Sequence, residues 1–389
     1  MRLPYGRVDD LQGQHARAFP TISTALVARR PSEVLDVLRE VERATAAGAW
    51  AVGFLAYEAA AALDPTLQVQ QPRDDLPLAW FGLSGQPVRV PVIQPSVDRG
   101  YRTGAWTDSW TPAQYHDKVA AVRARIAAGD TYQCNLTTRL TAPVGGELLG
   151  FYSDLAHAQR AAYSTYLDLG DWVIASASPE LFFQVEDREL LLRPMKGTAP
   201  RGRTPAEDRR LARELRTSEK ERAENVMIVD LLRNDAARVA QVDSVTVGAL
   251  WQVERYDTVL QLTSDITATL RPDVGLLDLF TALFPCGSVT GAPKPSTMAL
   301  IAELEQSPRG LYCGAIGVVA PPGARRRASF SVAIRTAVID RRTGLGTYGT
   351  GSGITWPSQA AAEHAELATK AEVLAHCVGE RRLDRTGTA

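Results

Sequence analysis

Two pairs of glutamates are spaced so that they could bind a divalent cation. Glu221 with Glu224, and Glu363 with Glu366, are each three residues apart in segments of helical character. That spacing puts both carboxylates of a pair on one helix face. Four hard oxygen donors from two helices suit Mg²⁺ and leave coordination positions for water and a substrate carboxylate. The same spacing is common on solvated acidic helix faces, so the pattern alone leaves both interpretations open.

Two further candidate residues, a lysine and a glutamate, lie at the ends of predicted strands. Lys196 follows an apolar strand and precedes a glycine, and a lysine held among apolar groups near other cations can lose its proton and act as a nucleophile. Glu180, in the string Ser-Pro-Glu, lies between two predicted strands and can act as a general acid if its surroundings keep it protonated. An ordinary surface lysine and an edge carboxylate in water are the alternatives that position alone leaves open.

The last third of the sequence contains residues suited to binding an anion. They are Tyr312, Arg335, Lys370 and the glycines of Gly-Thr-Gly-Ser-Gly at 349–353. Glycines let backbone N–H groups approach an anion closely, and arginine offers a planar fork to a carboxylate. A plain strand turn is the alternative for the glycine run, and nothing like the dinucleotide-binding fingerprint surrounds it. Lys370 can also serve as a helix partner of Glu366, four residues before it.

Capping patterns and periodicity predict the elements that position these residues. Thr111-Pro-Ala-Gln has the form of a capping box with proline at the first helical position, and apolar residues then recur at helical spacing until Gly129. From Tyr132 to Leu140 apolar and polar residues alternate, which predicts a strand with one polar face. Gln133 is on that polar face and is expected to point away from the apolar side.

Further strands and helices follow along the chain. Residues 172–194 predict consecutive strands, the last two joined as a hairpin across positions 187–188. A second capping box at Thr204 predicts a charged helical stretch to about Leu232. More strands are expected at 313–354, and a last helix after Ser358. Strands in clusters with helices between them, without βαβ alternation, predict an α+β fold with large antiparallel sheets.

Composition bounds the classes of function. Lys plus Arg (43) nearly balances Asp plus Glu (44), so no global positive field gathers nucleic acid or an anionic membrane. The four cysteines form no C-x-x-C pair, which argues against a zinc site or a disulfide framework. No leader peptide or membrane-spanning stretch is evident, so we expect a cytoplasmic protein. A Gln/Pro/Val-rich segment at 85–97 predicts an N-terminal region over 1–100, a catalytic region over 101–380 and a tail over 381–389.

Eight ordered strings resemble the chorismate-binding enzyme family, which includes anthranilate synthase component I, aminodeoxychorismate synthase component I, isochorismate synthases and salicylate synthases. The strings are IAAGDTYQCNL (126–136), SPELFF (178–183), RPMKGTAPRG (193–202), SEKERAENVMIVDLLRND (218–235), FPCGSVTGAPKPSTM (284–298), RGLYCGAIG (309–317), AIRTA (333–337) and GTGSGI (349–354). The likeness spans roughly 112–376. So many motifs in order favour the chemical interpretations over the plainer ones.

The resemblance implies a fold and a set of site roles. The fold would be α+β, with large antiparallel β-sheets packed as a sandwich and flanking helices. Mg²⁺ would bind the ring carboxylate of chorismate through the four glutamates, while the carboxylate of the enolpyruvyl group would be bound by the anion set. The residues implied for that second carboxylate are Tyr312, Arg335, Gly351, Gly353 and Lys370. Gly197 and Thr198 would line the ring site.

Two positions distinguish branches of the family. Isochorismate and salicylate synthases carry a lysine where this chain has Gln133, because they activate water, and a glutamine cannot deprotonate water. Aminodeoxychorismate synthases carry a lysine at the position of Lys196, where anthranilate synthases usually have alanine. The resemblance therefore implies that Lys196 attacks the ring, the C4 hydroxyl leaves with Glu180 as acid, and ammonia then displaces the lysine. Gln261 replaces a histidine that anthranilate synthases usually keep, which fits a product that retains its enolpyruvyl group.

The expected reaction is the conversion of chorismate and ammonia to 4-amino-4-deoxychorismate on the route to p-aminobenzoate. We find no lyase or glutaminase region in the sequence, so ammonia is expected from solution or from a separate glutamine amidotransferase subunit, component II. One alternative is an anthranilate synthase large subunit. Another is a weakly catalytic scaffold that docks and activates an amidotransferase, although the full set of reactive residues argues against it.

Overall fold

In a computed structural model, the protein is described over residues 3–72, 75–96, 100–248, 250–256 and 259–377. The predicted tail at 381–389 lies outside the described residues, as do positions 378–380. The α-helices are α1 Pro31–Ala46, α2 Ala60–Leu63, α3 Pro112–Ala127, α4 Leu148–Gln159, α5 Pro205–Thr217, α6 Glu219–Ala237, α7 Leu276–Leu283, α8 Lys294–Glu305 and α9 Ala360–Ala371, with 3-10 turns at Tyr57–Ala59, Gly287–Val289 and Glu372–Cys377.

The strands are β1 Tyr5–Asp10, β2 His15–Phe19, β3 Ile22–Ala28, β4 Trp50–Leu55, β5 Ala79–Ser84, β6 Val88–Val90, β7 Tyr101–Thr103, β8 Thr107–Asp108, β9 Gln133–Gly146, β10 Tyr163–Asp168, β11 Trp172–Ser178, β12 Leu181–Glu186, β13 Glu189–Arg193, β14 Met195–Pro200, β15 Thr246–Val247, β16 Gln252–Arg255, β17 Val259–Thr263, β18 Ile266–Thr269, β19 Gly291–Ala292, β20 Ala315–Val319, β21 Arg326–Val332, β22 Thr336–Asp340 and β23 Leu345–Ile354.

The strands of the described residues form three sheets. The first runs β19-β9-β23-β22-β11-β10-β1-β2-β6, with β7 and β8 also paired to β9; the second runs β15-β18-β13-β12-β21-β20-β4-β5-β3. A small third sheet has the order β14-β17-β16. The strand ladders pair antiparallel throughout the described residues. The predicted α+β class with large antiparallel sheets is confirmed.

The two large sheets pack face to face. Phe54 and Ile316 from the second sheet join Leu167, Ile174 and Val338 from the first in one buried apolar cluster. The outer face of the second sheet packs against α1, α6 and α7, and the outer face of the first packs against α4. Burying apolar area on both faces of each sheet gives the sandwich its stability.

Strands from the first hundred residues belong to both large sheets. β1 pairs with β10 in the first sheet, and β4 pairs with β20 in the second. Residue 100 therefore does not separate two cores, and strands from both sides of it share the same ladders.

The structure confirms two of the locally predicted elements and divides a third. Thr111 caps α3 through the expected box with Gln114, and the hairpin joins β12 to β13 where Asp187 and Arg188 both have positive φ. The single helical stretch from Thr204 to about Leu232 was wrong in one respect. It is two helices, because Ser218 adopts an extended conformation and its hydroxyl accepts a hydrogen bond from the backbone N of Glu221, which starts α6.

Two expectations from composition bear on the described residues. The four cysteines are buried free thiols. Among the helices that the structure describes, none combines the length and the apolar character needed to cross a membrane.

Candidate active site

A cavity of about 810 Å³ lies between the small sheet with α6 on one side and β23 with α9 on the other. Its lining brings together residues from sequence positions that are far apart. Of the predicted site residues, those that line it are Glu180, Lys196, Gly197, Thr198, Glu221, Glu224, Tyr312, Arg335, Gly351, Gly353, Glu363, Glu366 and Lys370. Gln133 is the one predicted site residue that does not reach the cavity surface.

The predicted acid and nucleophile meet at one residue. Lys196 Nζ donates a hydrogen bond to the backbone oxygen of Ser288 at 3.3 Å, and the Ser288 hydroxyl donates to Glu180 Oε1 at 2.7 Å. Glu180 is 4 % exposed. Burial raises the pKa of Glu180 above its ordinary value, and the Ser288 hydrogen bond and the Lys196 charge oppose that rise without cancelling it. A carboxyl with a raised pKa suits a general acid.

Ser288 was not singled out from the sequence, although it lies within the FPCGSVTGAPK string. Serines are common in loops, and the string alone gives no reason to assign one a partner. Only the fold shows that the turn holding Ser288 contacts both Lys196, in β14, and Glu180, in the link between β11 and β12.

Gln133 lies directly behind the lysine. A methyl group placed on Gly353 would lie 2.8 Å from Gln133 Nε2 and 3.4 Å from Lys196 Nζ, so both side chains lie beside this glycine. The Gln133 side chain is fully buried, and neither its amide N nor its O has a hydrogen-bond partner within the described part of the chain. A buried amide without partners is costly in free energy.

The ring-site residues are held by a glutamine. Thr198 Oγ1 donates to Gln261 Oε1 at 2.9 Å, and Gln261 Nε2 donates to the backbone oxygen of Gly197 at 3.0 Å. Gly197 has φ +86°, and a methyl group there would lie 2.7 Å from Glu221 Oε2. Glycine is needed at this position for both the backbone conformation and the closeness of the carboxylate.

The four glutamates face the cavity from two helices, one pair on α6 and one on α9. Burial raises the pKa of Glu221 and of Glu224, and the charge of Glu363 raises both further. Glu366 Oε1 lies 2.6 Å from Lys370 Nζ; burial opposes ionisation of Glu366, but Lys370 holds its pKa below the ordinary value. Repulsion among carboxylates around one cavity is relieved when a cation binds.

The donor atoms of these carboxylates suit Mg²⁺, but the carboxylates lie too far apart to bind one ion together. All their donor atoms are hard oxygens, as Mg²⁺ prefers. Within the described ranges no three His, Cys, Asp or Glu side chains are close enough together to hold a metal ion. The two helices would have to bring the pairs closer, or water would have to complete the coordination.

The predicted anion set surrounds the C-terminal end of α9. Lys370 Nζ donates to the backbone oxygen of Gly351 at 2.7 Å, and Arg335 Nη1 donates to the backbone oxygen of Lys370. A methyl group on Gly349 would lie 2.1 Å from the buried ring of Tyr312. The glycine run therefore lets a strand pack directly on an aromatic ring, beside two cationic side chains.

A buried ionic network lies behind this set. Glu305 accepts hydrogen bonds from Arg309 at 2.7 Å and from Arg139 at 3.3 Å. Burial opposes ionisation of Glu305, yet the two arginines hold its pKa below the ordinary value. Glu58 accepts from the backbone N atoms of Arg309 and Gly310, and burial raises its pKa to about 7. No role for these residues is evident from the sequence.

Comparisons with known proteins agree on one family. The sequence profile described as chorismate binding enzyme matches residues 92–376. Anthranilate synthase component 1 of Streptomyces coelicolor is 40% identical over 292 residues, which are 75% of this chain and 55% of that protein. Aminodeoxychorismate synthase component 1 of Salmonella typhimurium is 41% identical over 297 residues, 76% of this chain and 63% of that protein. The chain thus matches little more than half of the length of these relatives.

A solved structure has the same fold. Anthranilate synthase component I from Streptococcus pneumoniae superposes with a TM-score of 0.77 at 26% identity, over 97% of this chain and 91% of that one. Relatives with two different activities in their names are therefore similar to this chain to nearly the same degree, and overall similarity does not choose between those activities.

Proposed function

Because the chain belongs to the family of chorismate binding enzymes, we propose that it converts chorismate and ammonia to 4-amino-4-deoxychorismate. The observation that carries this proposal is Lys196, whose amine faces the cavity next to the buried acid Glu180. An amine in that place can form a covalent bond to the ring, which an alanine cannot.

The proposed reaction has two steps. In the first, the neutral amine of Lys196 forms a C–N bond to the ring while the C4–O bond breaks, and Glu180 gives its proton to the departing oxygen, which leaves as water. In the second, ammonia forms a C–N bond at C4, the bond to Lys196 breaks, and the electron pair returns to the lysine nitrogen. The product ammonium returns one proton to Glu180, so chorismate and ammonia yield the amino product and water.

Charge on the substrate is handled by two groups of residues. Glu221, Glu224, Glu363 and Glu366 would hold Mg²⁺, which when bound neutralises a substrate carboxylate. Arg335 and Lys370, beside Tyr312 and the backbone of Gly351, would bind the second carboxylate. Gln133 is buried beside Lys196, and its amide cannot deprotonate water, so this position would supply no activated water to compete with the nitrogen nucleophile.

We propose free ammonia as the immediate nucleophile and a glutamine amidotransferase subunit as its source in the cell. The support is that similar proteins carry the name component 1. With a high concentration of an ammonium salt, the chain alone should then be active.

A product assay tests the function. The full chain is incubated with chorismate, Mg²⁺ and ammonium at mildly alkaline pH, and the products are identified by mass, before and after addition of an aminodeoxychorismate lyase. We expect a species with the mass of the amino product and lyase-dependent p-aminobenzoate. Absence of chorismate turnover under these conditions would instead support the scaffold alternative.

Anthranilate synthesis is the second candidate, since similar proteins carry that name. It predicts fluorescent anthranilate without any lyase. Lys196 and Gln261 count against it. The Gln261 amide is hydrogen-bonded through its oxygen to Thr198 and through its nitrogen to Gly197. It offers no basic nitrogen for removal of the enolpyruvyl group.

A further inference from the structure

We propose that Ser288 is a positioning residue that aims both reacting groups, its hydroxyl holding Glu180 and its backbone oxygen holding Lys196. The inference rests on the proposed function for the roles of acid and nucleophile. The geometry that carries it is independent of which product forms.

Ser288 lies in the 3-10 turn Gly287–Val289 and is 4 % exposed. Its Oγ is 2.7 Å from Glu180 Oε1, its backbone O is 3.3 Å from Lys196 Nζ, and its Oγ is also 3.2 Å from Cys286 Sγ. One residue of the turn thus contacts both Glu180, in the link between β11 and β12, and Lys196, in β14.

The turn itself is fixed by its neighbours. The backbone oxygen of Val289 accepts from Asn135 Nδ2 at 3.1 Å and from Arg309 Nη1 at 2.7 Å. A methyl group on Gly287 would lie 2.5 Å from the side chain of Leu231, so α6 packs directly on the turn. A turn held from both sides places the hydroxyl and the carbonyl at set positions, which is what precise alignment of two reacting groups requires.

The hydroxyl also suits the change of charge on Glu180. A serine hydroxyl has one donor and two acceptor positions, so it can accept from the protonated acid and donate to the carboxylate left after proton transfer. The other groups that lower the pKa of Glu180 are the charge of Lys196, a hydrogen bond from the backbone of Met195 and the charge of Lys370, and two buried thiols, Cys286 and Cys313, face it. Loss of the hydroxyl removes a contact that lowers the pKa of Glu180 and leaves these others in place.

The experiment compares Ser288→Ala with Ser288→Thr in the full chain, following loss of chorismate with Mg²⁺ and a constant concentration of free ammonia at each pH. For the alanine variant we expect kcat to fall about 10- to 100-fold and the alkaline limb of kcat/KM to move up by about one pH unit, because the acid holds its proton longer. Threonine keeps the hydroxyl and should keep the wild-type limb. An unmoved limb in the alanine variant would overturn the proposal.

A double-mutant cycle separates this role from simple damage to the fold. In a Glu180→Gln background, Ser288→Ala should lower kcat by no more than about twofold, since the group through which the hydroxyl acts is gone. A full additive loss would contradict the proposal. Should the alanine variant fail to give a normal thermal melt, Ser288→Cys, a weak donor, should move the limb in the same direction by less, and no movement would count against the hydroxyl.

Failure of the proposed function gives a different result. If wild type consumes chorismate but forms anthranilate, the product assignment fails while the pH comparison at Ser288 remains decisive, because the rate is followed through the substrate.

Discussion

The two sides of the cavity are built differently. The sandwich wall, made of β22, β23 and α9, carries Gly351, Gly353 and Lys370 of the anion set, and β23 pairs with β9 over ten residues. The lysine lobe, made of the small sheet, α5 and the first turns of α6, carries Lys196 and one glutamate pair. All six residues of β14 are half-buried or exposed, and the buried apolar cluster of the lobe consists of Ala212, Leu215, Leu260 and Leu262.

This difference separates binding from reaction. A densely paired wall with close glycine contacts presents fixed cations, whereas elements with little buried apolar area open at low cost in free energy. On the proposed function, the wall sets where the substrate carboxylate lies, and the lobe supplies the reactive amine and the other glutamate pair. Changes in the wall should then cost stability, and changes in the lobe should cost activity.

The largest effect is expected at the reactive amine. Lys196→Ala should lower aminodeoxychorismate formation by about 1,000-fold or more, because no other group can form the covalent bond. The thermal midpoint should change little, since Lys196 is half-buried and its side chain makes a single hydrogen bond, of 3.3 Å, within the described residues. Lys118→Ala is the matched control, as that lysine lies on α3 away from the cavity. Near-wild-type turnover by the Lys196 variant would remove the covalent mechanism.

The two glutamate pairs test whether lobe and wall act on one cation. Glu221→Gln in the lobe and Glu363→Gln in the wall should each raise the Mg²⁺ concentration needed for half-maximal activity by roughly 100-fold. Glu219→Gln is the control, because Glu219 lies on α6 without lining the cavity. A loss confined to one pair would mean that the cation binds to one side alone. Activity titrations with Mg²⁺ after chelator treatment measure this.

Glycine substitutions compare the rigidity of the two sides. Gly349→Ala in the wall drives a methyl group into the buried Tyr312 ring and should cost about 3 kcal/mol of unfolding free energy. Gly197→Ala in the lobe meets the movable end of Glu221, so activity should fall more than stability. Gly323→Ala, with φ +89° and open space around it, measures the backbone strain alone. Equal melting losses at positions 349 and 197 would contradict the comparison.

The smallest effect concerns the buried network behind the wall. The pKa of Glu58 rises to about 7 on folding, so its contribution to stability is present below its unfolded value and is lost as pH rises through 7. Glu58→Gln keeps an oxygen acceptor for the Arg309 and Gly310 amides. Relative to wild type, this variant should become more stable by roughly 2–3 kcal/mol between pH 5 and pH 8.

A contrasting variant controls for this pH effect. Glu305→Gln removes a carboxylate whose pKa the arginines hold low, so its stability deficit should be present at neutral pH and shrink in acid. Denaturant unfolding at several pH values distinguishes the two. A parallel response of both variants would exclude burial as the cause of the Glu58 effect.

Much of the local structure was predictable because its signals are local. The box at Thr111, the alternation from Tyr132 to Leu140 and the hairpin after β12 each depend on a few adjacent residues. The break at Ser218 was missed because charged residues on both sides favour a helix, and only the extended backbone of that one residue separates α5 from α6.

The sequence grouped residues that the structure brings to one cavity, but it did not show the hydrogen bonds that join them. Family motifs placed Lys196 and Glu180 in one cavity, but the residue that joins them was invisible, since a hydrogen bond between distant segments leaves no pattern in the sequence. The buried network of Glu58, Glu305 and Arg309 was missed for the same reason. Charged residues are normally read as surface, and only packing shows that these are inside.

The sharing of both sheets by distant parts of the chain has a consequence for how the protein is made. Ala51 pairs with Val319, and Cys134 pairs with Ile354. The central ladders therefore remain unpaired on the ribosome until almost the whole chain has been synthesised, and such non-local pairing makes folding slow. During that interval the apolar strands are exposed to aggregation, so the yield of native protein should depend on chaperones and growth temperature more than its final stability suggests.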